Sequence, residues 1–163
     1  MTSPDDRIIV LVSPNAQSVL PAKLMQMLAA YSDFPLTAAF CADEPSPVFE
    51  NRGIPVSEPC GEYAKTAVDD CFDDVCTSTL ENIVYNGKAA TLPPKSGKTI
   101  RPLCYIKRRH IAMWAEFHGI EYEPKKSPAD ALYAELTSTI FDADIRHFRA
   151  LTTADSRYIL GWM

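Results

Sequence analysis

The sequence is poor in glycine, has no long hydrophobic run and has no closely spaced pair of cysteines. It holds six glycines, and the first of them is Gly53, so the first loop of the chain is built without one. No apolar run is long enough to span a bilayer. The N-terminal residues MTSPDDR are acidic where a signal peptide is basic. We therefore expect a cytoplasmic protein that makes no contact with a membrane.

The cysteines and the net charge exclude further classes of protein. The five cysteines are scattered, so neither a disulfide framework nor a metal site with a recognisable ligand spacing is predicted. They are Cys41, Cys60, Cys71, Cys76 and Cys104. The net charge of −5 and the pI of about 5.2 argue against a protein that coats nucleic acid with its whole surface.

The alternation of strand-like and helix-like segments indicates the fold class. A length of 163 residues suits one domain with a real core, so we predict a single domain over residues 1–163. Arg7–Ser13 and Phe34–Cys41 are typical of strands, and Leu20–Tyr31 and Lys107–His118 of helices. This order predicts an α/β fold: a Rossmann-like, mostly parallel sheet of four or five strands with helices on both faces.

Weaker patterns complete the prediction. They indicate short strands at 53–56 and 63–68, a helix over much of 66–85, a long loop over 86–99 and an extended segment at 100–106. Ser127 followed by Pro128 is a strong start signal for a further helix, and a last helix carries Phe148.

The segment DDCFDD concentrates carboxylates on the helix predicted over residues 66–85. On that helix Asp69, Asp70, Asp73 and Asp74 would share one side, where a cation would relieve their repulsion. One interpretation is a Mg²⁺ site formed by Asp70, Asp73 and Asp74 beside a phosphate-handling loop. The other is a solvated, acidic first turn of a helix.

Basic residues are concentrated in the middle of the chain. No Asp or Glu occurs from Asn82 to Ala115, and this window holds seven of the sixteen basic residues. A local patch can bind a phosphate backbone even on an acidic protein. The alternative is a solvated loop followed by a basic helix start. The candidates for RNA binding are Lys88, Lys95, Arg101, Lys107, Arg108 and Arg109.

The three histidines form no recognisable nucleophile–base pair, so no catalytic residue is assigned.

Several motifs occur in order between Asp73 and Ile120. They are Asp73-Asp74, Tyr85-Asn86-Gly87-Lys88, Leu92-Pro93-Pro94-Lys95, the segment IRPLCY at 100–105 and the segment AEFHG at 115–119. With this spacing the stretch resembles the tRNA 2-thiocytidine synthetase family of PP-loop ATP pyrophosphatases, over roughly a third of the chain. The final segment FRALTTADSRYI is similar to the last helix of that family, more weakly.

The resemblance implies a nucleotide site at the first loop. The PP-loop of the family reads Ser-Gly-Gly-x-Asp-Ser, and the matching residues here are SPNAQS at 13–18. The candidates for nucleotide binding are therefore Ser13 and Ser18, together with Asp73 and Asp74. Both glycines of the motif are missing, and Pro14 removes an N–H donor that a phosphate would use. ATP with Mg²⁺ is the candidate cofactor, and the altered loop predicts a lost or greatly weakened pyrophosphate site.

Other departures concern the motif histidine and the cluster ligands of the family. Asp70 stands where the family has a histidine, and it would repel the phosphates of a nucleotide. The segment that should carry the family's CxxC pair is missing between Val56 and Asp73, and EYEPKKSP at 121–128 has no third cysteine. We therefore expect no iron–sulfur cluster.

Three hypotheses about function follow. The first is a non-catalytic relative of the tRNA-thiolating enzymes that binds tRNA or a protein partner, such as an active PP-loop relative. The second is an active enzyme that uses ATP and Mg²⁺ to adenylate an RNA base or a small substrate. The third is a structural protein that forms oligomers. The loss of a family segment would expose apolar surface, so we predict a homodimer.

Overall fold

The structure, a computed structural model, describes residues 7–31, 37–42, 46–56, 64–88 and 90–153. It divides into two compact units. The sheet unit comprises the described residues of 1–71 and 94–124, and the helical unit comprises those of 72–93 and 125–163.

The sheet unit contains five strands. They are β1 (Arg7–Leu11), β2 (Thr37–Cys41), β3 (Lys65–Ala67), β4 (Lys95–Ser96) and β5 (Thr99–Ile100). Their order across the sheet is β2-β1-β3-β5-β4, and every pair is parallel except the hairpin of β4 and β5. The predicted fold class, a mostly parallel sheet of four or five strands with helices, is confirmed.

Strand β1 lies inside this sheet, between β2 and β3, and its apolar run suits that position. Ile8, Ile9 and Val10 are consecutive and buried, which is typical of a strand covered on both faces. Ile9 pairs with Ala39 of β2 on one side and with Thr66 of β3 on the other. The carboxyl ends of β1 and β3 therefore lie side by side, and the residues that follow these two strands meet at one edge of the sheet.

Six helices are present in the described residues. Those of the sheet unit are α1 (Ala16–Tyr31), α2 (Pro47–Glu50) and α4 (Arg108–His118). Those of the helical unit are α3 (Phe72–Asn86), α5 (Asp130–Thr139) and α6 (Ala143–Thr153). None of the helices in these ranges is both long and apolar enough to cross a membrane.

Local sequence explains where α2, α4 and α5 begin or end. Ser46 caps α2 by accepting a hydrogen bond from the N–H of Val48, with Pro47 at the first helical position. Helix α4 ends at Gly119, whose φ of 60° is a left-handed conformation that glycine adopts without strain. Before α5, the Ser127 hydroxyl accepts from the N–H of Ala129, and the Asp130 carboxylate accepts from the N–H of Ser127.

Several segments differ from the predicted secondary structure. The helix predicted over 66–85 begins only at Phe72, because Lys65–Ala67 pairs with β1 as a strand. Asp69 and Asp70 therefore lie outside the helix, and the prediction that four aspartates share one helical side is wrong. The segment predicted to be extended at 100–106 leaves the sheet after Ile100 and continues as turns.

The loop predicted over 86–99 contains the hairpin of β4 and β5. Gly97, between the two strands, has a φ of 56°. Helix α1 also begins earlier than predicted, at Ala16 rather than Leu20. The loop that follows β1 is correspondingly short, with only Val12–Asn15 between the strand and the helix.

Candidate functional site

The loop after β1 is where the sequence predicted a nucleotide site. Asn15 fixes the backbone of this loop through hydrogen bonds. The Asn15 side-chain oxygen accepts a hydrogen bond from the N–H of Gln17 at 3.0 Å. The Asn15 carbonyl accepts from the N–H groups of Ser18 and Val19, each at 3.0 Å. Asn15 is thus the N-cap of α1, and its side-chain amide donates at 2.6 Å to the carbonyl of Glu123.

The backbone N–H groups at the start of α1 all have acceptors within the protein. Besides the three N–H groups that Asn15 holds, the N–H of Ala16 donates to the carbonyl of Glu121 at 3.1 Å. Pro14 has no N–H to offer. A helix start binds a phosphate through N–H groups without an intrahelical partner. The Val19 N–H makes the ordinary intrahelical bond to Asn15, and the three donors before it, on Ala16, Gln17 and Ser18, are already used.

Ser13, Ser18 and Asp69 form a chain of hydrogen bonds at the edge of the sheet. The Ser13 hydroxyl donates to the Ser18 oxygen at 2.9 Å, and the Ser18 hydroxyl donates to the Asp69 carboxylate at 2.5 Å. Gln17 reinforces the contact, because its amide donates to the Asp69 carbonyl at 3.1 Å. Ser18 and Gln17 are 3% and 1% exposed. The two predicted nucleotide-binding serines therefore meet, but the inner one is buried beneath a carboxylate.

Asp70, a predicted magnesium ligand, lies next along the chain and pairs with Arg101. The Arg101 Nε and the Asp70 carboxylate are 2.9 Å apart, and the arginine side chain is 9% exposed. Arg101 follows β5, so the pair joins the ends of two neighbouring strands, β3 and β5. The buried position explains why this arginine is held by a carboxylate rather than turned to solvent. A role for Arg101 in RNA binding stays a prediction.

The other basic candidates are more exposed. In the sheet unit, Lys95 and Arg109 are exposed and Lys107 and Arg108 are half-buried; in the helical unit, Lys88 is exposed. Lys107 is the N-cap residue of α4 and makes no side-chain capping hydrogen bond, and the first turn of α4 has no acidic residue. Three consecutive cations at a helix start are opposed by the helix dipole. This arrangement is what an anionic partner would stabilise.

Asp73 and Asp74 lie in the first turn of α3, in the helical unit. Asp74 is 6% exposed, and Asp73 is half-buried. In the parts of the chain that the structure describes, no three His, Cys, Asp or Glu side chains are grouped so that they could hold a metal ion. The magnesium site at Asp70, Asp73 and Asp74 stays a prediction.

A tyrosine in the helical unit has an unusual environment. The Tyr133 hydroxyl is fully buried and makes no hydrogen bond to a nitrogen or oxygen atom of the described residues. Burial raises the pKa of Tyr133 strongly, and the neighbouring Cys76, Asp73 and Asp144 raise it further. The same side chain lines a largely apolar cavity of about 270 Å³, with Leu80, Leu136 and Ile140.

Sequence reasoning missed Asn15, Asp69 and Tyr122. Asp69 was grouped with a helix, yet it follows the strand-like segment at 63–68, and the rule that ligands gather at strand ends would have found it. Asn15 is a good N-cap type directly before the helix. Tyr122, whose hydroxyl lies 3.4 Å from the Gln17 side-chain oxygen, gave no signal in the sequence.

Comparisons with known proteins support the resemblance over part of the chain. No family model matches the sequence. The tRNA-cytidine(32) 2-sulfurtransferase of Acidovorax ebreus is 33% identical over 66 residues, 37% of this chain. The enzyme of the same name from Delftia acidovorans is 32% identical over 66 residues. The match covers 21% of the length of each enzyme. The resemblance to tRNA-thiolating PP-loop enzymes is thus confirmed for this segment.

A solved structure confirms the fold over more of the chain. It is the U34-tRNA thiolase NcsA from Methanococcus maripaludis, with a TM-score of 0.63 and 14% sequence identity. The superposition covers 90% of this chain and 70% of the thiolase. At this identity the likeness shows a common fold, the fold of a PP-loop tRNA thiolase.

The prediction that no iron–sulfur cluster is bound, which was drawn from the missing cysteines, is wrong. The Methanococcus maripaludis thiolase, which shares this fold, is described with its [4Fe-4S] cluster. Cluster ligands are brought together by the fold, so the loss of one CxxC segment does not exclude them. Four cysteines, Cys41, Cys71, Cys76 and Cys104, lie in the described residues as free thiols. Among them, Cys104 is fully buried, and burial raises the pKa of its thiol to about 11. Cys60 lies outside the described residues.

Proposed function

We propose that this chain is a degenerate relative of the tRNA-thiolating PP-loop enzymes and acts as a binding module in tRNA sulfur modification, without cleaving ATP. The proposed ligand is tRNA. The proposed protein partner is an active PP-loop relative that supplies the chemistry. The match to two tRNA-cytidine(32) 2-sulfurtransferases supports the association with tRNA modification.

One observation carries the non-catalytic part of the proposal. The N–H groups of Ala16, Gln17 and Ser18, which would face a pyrophosphate, donate to Glu121 and Asn15 instead. To bind a nucleotide, the protein would have to break these hydrogen bonds and leave the Asn15 and Glu121 acceptors without donors. Asn15 is half-buried and Glu121 is exposed, so water can replace part of what is lost, and each broken bond costs about 0.5–1.5 kcal/mol.

Electrostatics favours the same conclusion. The Ser18 hydroxyl donates to a carboxylate, that of Asp69, so an anion already occupies the hydrogen-bonding position nearest the helix start. A nucleotide phosphate brought there would meet this negative charge at short range, which is unfavourable. A glycine-rich loop offers N–H groups to phosphate, whereas this loop offers its N–H groups to its own protein.

The basic residues support tRNA as the ligand. Lys107, Arg108 and Arg109 are consecutive at the start of α4, and Lys95 is exposed on β4 of the same unit. Contacts from such residues to phosphate would bind RNA without reading its sequence, and the affinity would fall as salt rises.

The test is tRNA binding measured by fluorescence anisotropy at several salt concentrations. Wild-type protein should bind tRNA with a negative slope of log affinity against log salt. Arg109→Gln and Lys95→Gln should each weaken binding and reduce the magnitude of that slope by about one unit or less. Lys126→Gln, an exposed cation of the helical unit, is the matched control and should bind like wild type. Equal tRNA binding by all four proteins would contradict the proposed surface.

We further propose that the chain works in the cytoplasm as a single domain that forms a homodimer. The support for a dimer is the apolar surface that a missing family segment would expose. Light scattering at micromolar concentration should give twice the mass of the chain. A monomeric mass would contradict this part of the proposal and leave the tRNA-binding part untouched.

A further inference from the structure

A groove in the sheet unit is lined by none of the loop residues or basic residues considered so far. We name it the Trp114 groove. It is lined by residues of α1, of the turn after α2 and of α4, among them Lys23, Leu24, Met27, Arg52, Trp114 and His118. Its volume is about 500 Å³, within the range of small-ligand sites.

Side-chain hydrogen bonds join the three walls of the groove. The Gln26 amide of α1 donates to the carbonyl of Gly53 at 2.8 Å, which holds the turn against the helix. The Arg52 guanidinium donates to the carbonyl of His118 at 2.6 Å, which holds the same turn against the end of α4. The groove is therefore preformed, and a ligand would not have to order it.

The charge of the groove is positive. Lys23 and Arg52 line it, and within the described chain none of its lining residues is acidic. Lys23 donates to the neutral side-chain oxygen of Gln26 at 2.9 Å, and Arg52 donates to a backbone carbonyl. Neither cation has a carboxylate partner among the described residues. An ammonium has three donors and a guanidinium five, so both keep donors for an anion.

The groove also presents an aromatic wall. Trp114 is half-buried, and its ring lies 4.7 Å from that of His118, tilted by 44°. Leu24 and Met27 extend the apolar surface along α1. A ligand that fits must therefore combine a flat apolar body with a negative group, and a nucleotide has both.

We propose that the Trp114 groove binds one unpaired nucleotide of an RNA chain, with its base against Trp114 and its phosphate against Arg52 and Lys23. Bases stack on aromatic side chains in many single-strand binding sites, and arginine and lysine neutralise the adjoining phosphate. The inference rests on the proposed function in one respect, that RNA is the ligand. It adds a second contact, distinct from the basic residues at the start of α4.

The test uses the fluorescence of Trp114 in a Trp162→Phe protein, so that Trp114 is the one remaining tryptophan of the chain. The probes are a short single-stranded RNA oligonucleotide and cytidine monophosphate. The variants are Arg52→Gln, Lys23→Gln and, read by anisotropy of a labelled oligonucleotide, Trp114→Leu. The controls are Lys126→Gln for charge and Phe117→Leu for the aromatic change. Phe117 is 85% exposed on the same helix and does not line the groove.

The oligonucleotide should change the Trp114 fluorescence in a saturable way. Arg52→Gln, Lys23→Gln and Trp114→Leu should each weaken binding by about tenfold, whereas the two controls should bind like wild type. Circular dichroism establishes which variants are folded. Trp114→Leu is at risk because Trp114 packs against the core, and Arg52→Gln also removes the hydrogen bond that holds the turn against α4. Lys23→Gln leaves both of these intact and tests the inference without them.

The outcomes separate this inference from the proposed function. If RNA binds and the groove variants behave like the controls, the groove inference is overturned and the proposed function stands. If RNA does not bind but cytidine monophosphate does, with a loss in Arg52→Gln, the groove is a site for free nucleotides and the RNA function is overturned. If neither probe binds at millimolar concentration, both are overturned.

Discussion

The Ser18 hydroxyl donates a hydrogen bond to the Asp69 carboxylate at 2.5 Å and so ties the start of helix α1 to the end of strand β3. The two residues are 51 positions apart, and the neighbouring parallel strands β1 and β3 bring them together. In the resembled family the inner serine belongs to a phosphate loop. In this protein its hydroxyl is used within the fold.

This contact predicts how substitutions of Ser18, Asp69 and Ser13 rank in their effect on stability. Ser18→Ala removes a buried donor and leaves Ser13 without its acceptor, so it should lower the free energy of unfolding by about 1–2 kcal/mol. Asp69→Asn keeps an acceptor oxygen and should cost less than Ser18→Ala. Ser13→Ala alters an exposed side chain and should cost least. Urea denaturation measures all three, and a Ser18→Ala protein as stable as wild type would show that the contact has no structural role.

The ion pair of Asp70 and Arg101 predicts that substitutions of the two residues do not add in their effect on the free energy of unfolding. Arg101→Gln leaves the Asp70 carboxylate, which is 19% exposed, without its cation and should cost about 1–3 kcal/mol. Adding Asp70→Asn to Arg101→Gln should cost little more, because the shared interaction is already lost. Denaturant unfolding of the single and double variants tests this. Additive losses would mean that the two side chains act independently. Arg109→Gln, at an exposed site, is the control and should change stability by less than about 0.5 kcal/mol.

The buried Cys104 thiol should make the free energy of unfolding fall as the pH becomes alkaline. Burial raises its pKa from 9.0 to about 11, so the folded protein keeps a proton that the unfolded chain loses above pH 9. The stability that this thiol contributes is therefore fully present below pH 9 and is lost as the pH rises toward 11. Between pH 8 and pH 10 the loss should be about 1 kcal/mol larger in wild type than in Cys104→Ala. Unfolding under reducing conditions measures it, and parallel pH profiles for the two proteins would contradict the assignment.

Replacing Tyr133 by phenylalanine should not destabilise the protein. Its buried hydroxyl makes no hydrogen bond to nitrogen or oxygen in the described residues, so Tyr133→Phe removes a desolvated polar group without breaking such a bond. Stability should be unchanged or raised by up to about 1 kcal/mol. Thermal unfolding of the two proteins measures the difference. A loss above about 1 kcal/mol would mean that the contact with the Cys76 thiol, beside this hydroxyl, stabilises the fold.

Much of the fold follows from the sequence, and the reasons can be given residue by residue. The apolar run Ile8–Val10 indicated a buried parallel strand, and Gly119 indicated the end of α4. The strand predicted at 63–68 is present as Lys65–Ala67, but the helix predicted over 66–85 overlapped it, because so few residues show no clear period. That overlap placed Asp69 and Asp70 on a helix, whereas they follow a strand.

The site was less predictable than the fold because it depends on contacts between distant segments. Ser13 and Ser18 were found by their resemblance to a motif. The Ala16 N–H donates to the carbonyl of Glu121 and the Asn15 side-chain amide donates to that of Glu123, more than 100 residues away, and no local pattern reveals these contacts. The cluster prediction failed for a related reason, since it treated a missing segment and a missing third cysteine as decisive for ligands that the fold brings together.

We infer that the loop after β1 does not bind a nucleotide, and calorimetric titration with ATP and Mg²⁺ is the decisive test. The titration is made on the Arg52→Gln protein, in which binding to the Trp114 groove should be about tenfold weaker, with wild type in parallel. We expect the Arg52→Gln protein to show no micromolar binding of the nucleotide. Micromolar binding that is lost on substitution of Asp73 and Asp74 by alanine would contradict it and would favour an active, adenylating enzyme.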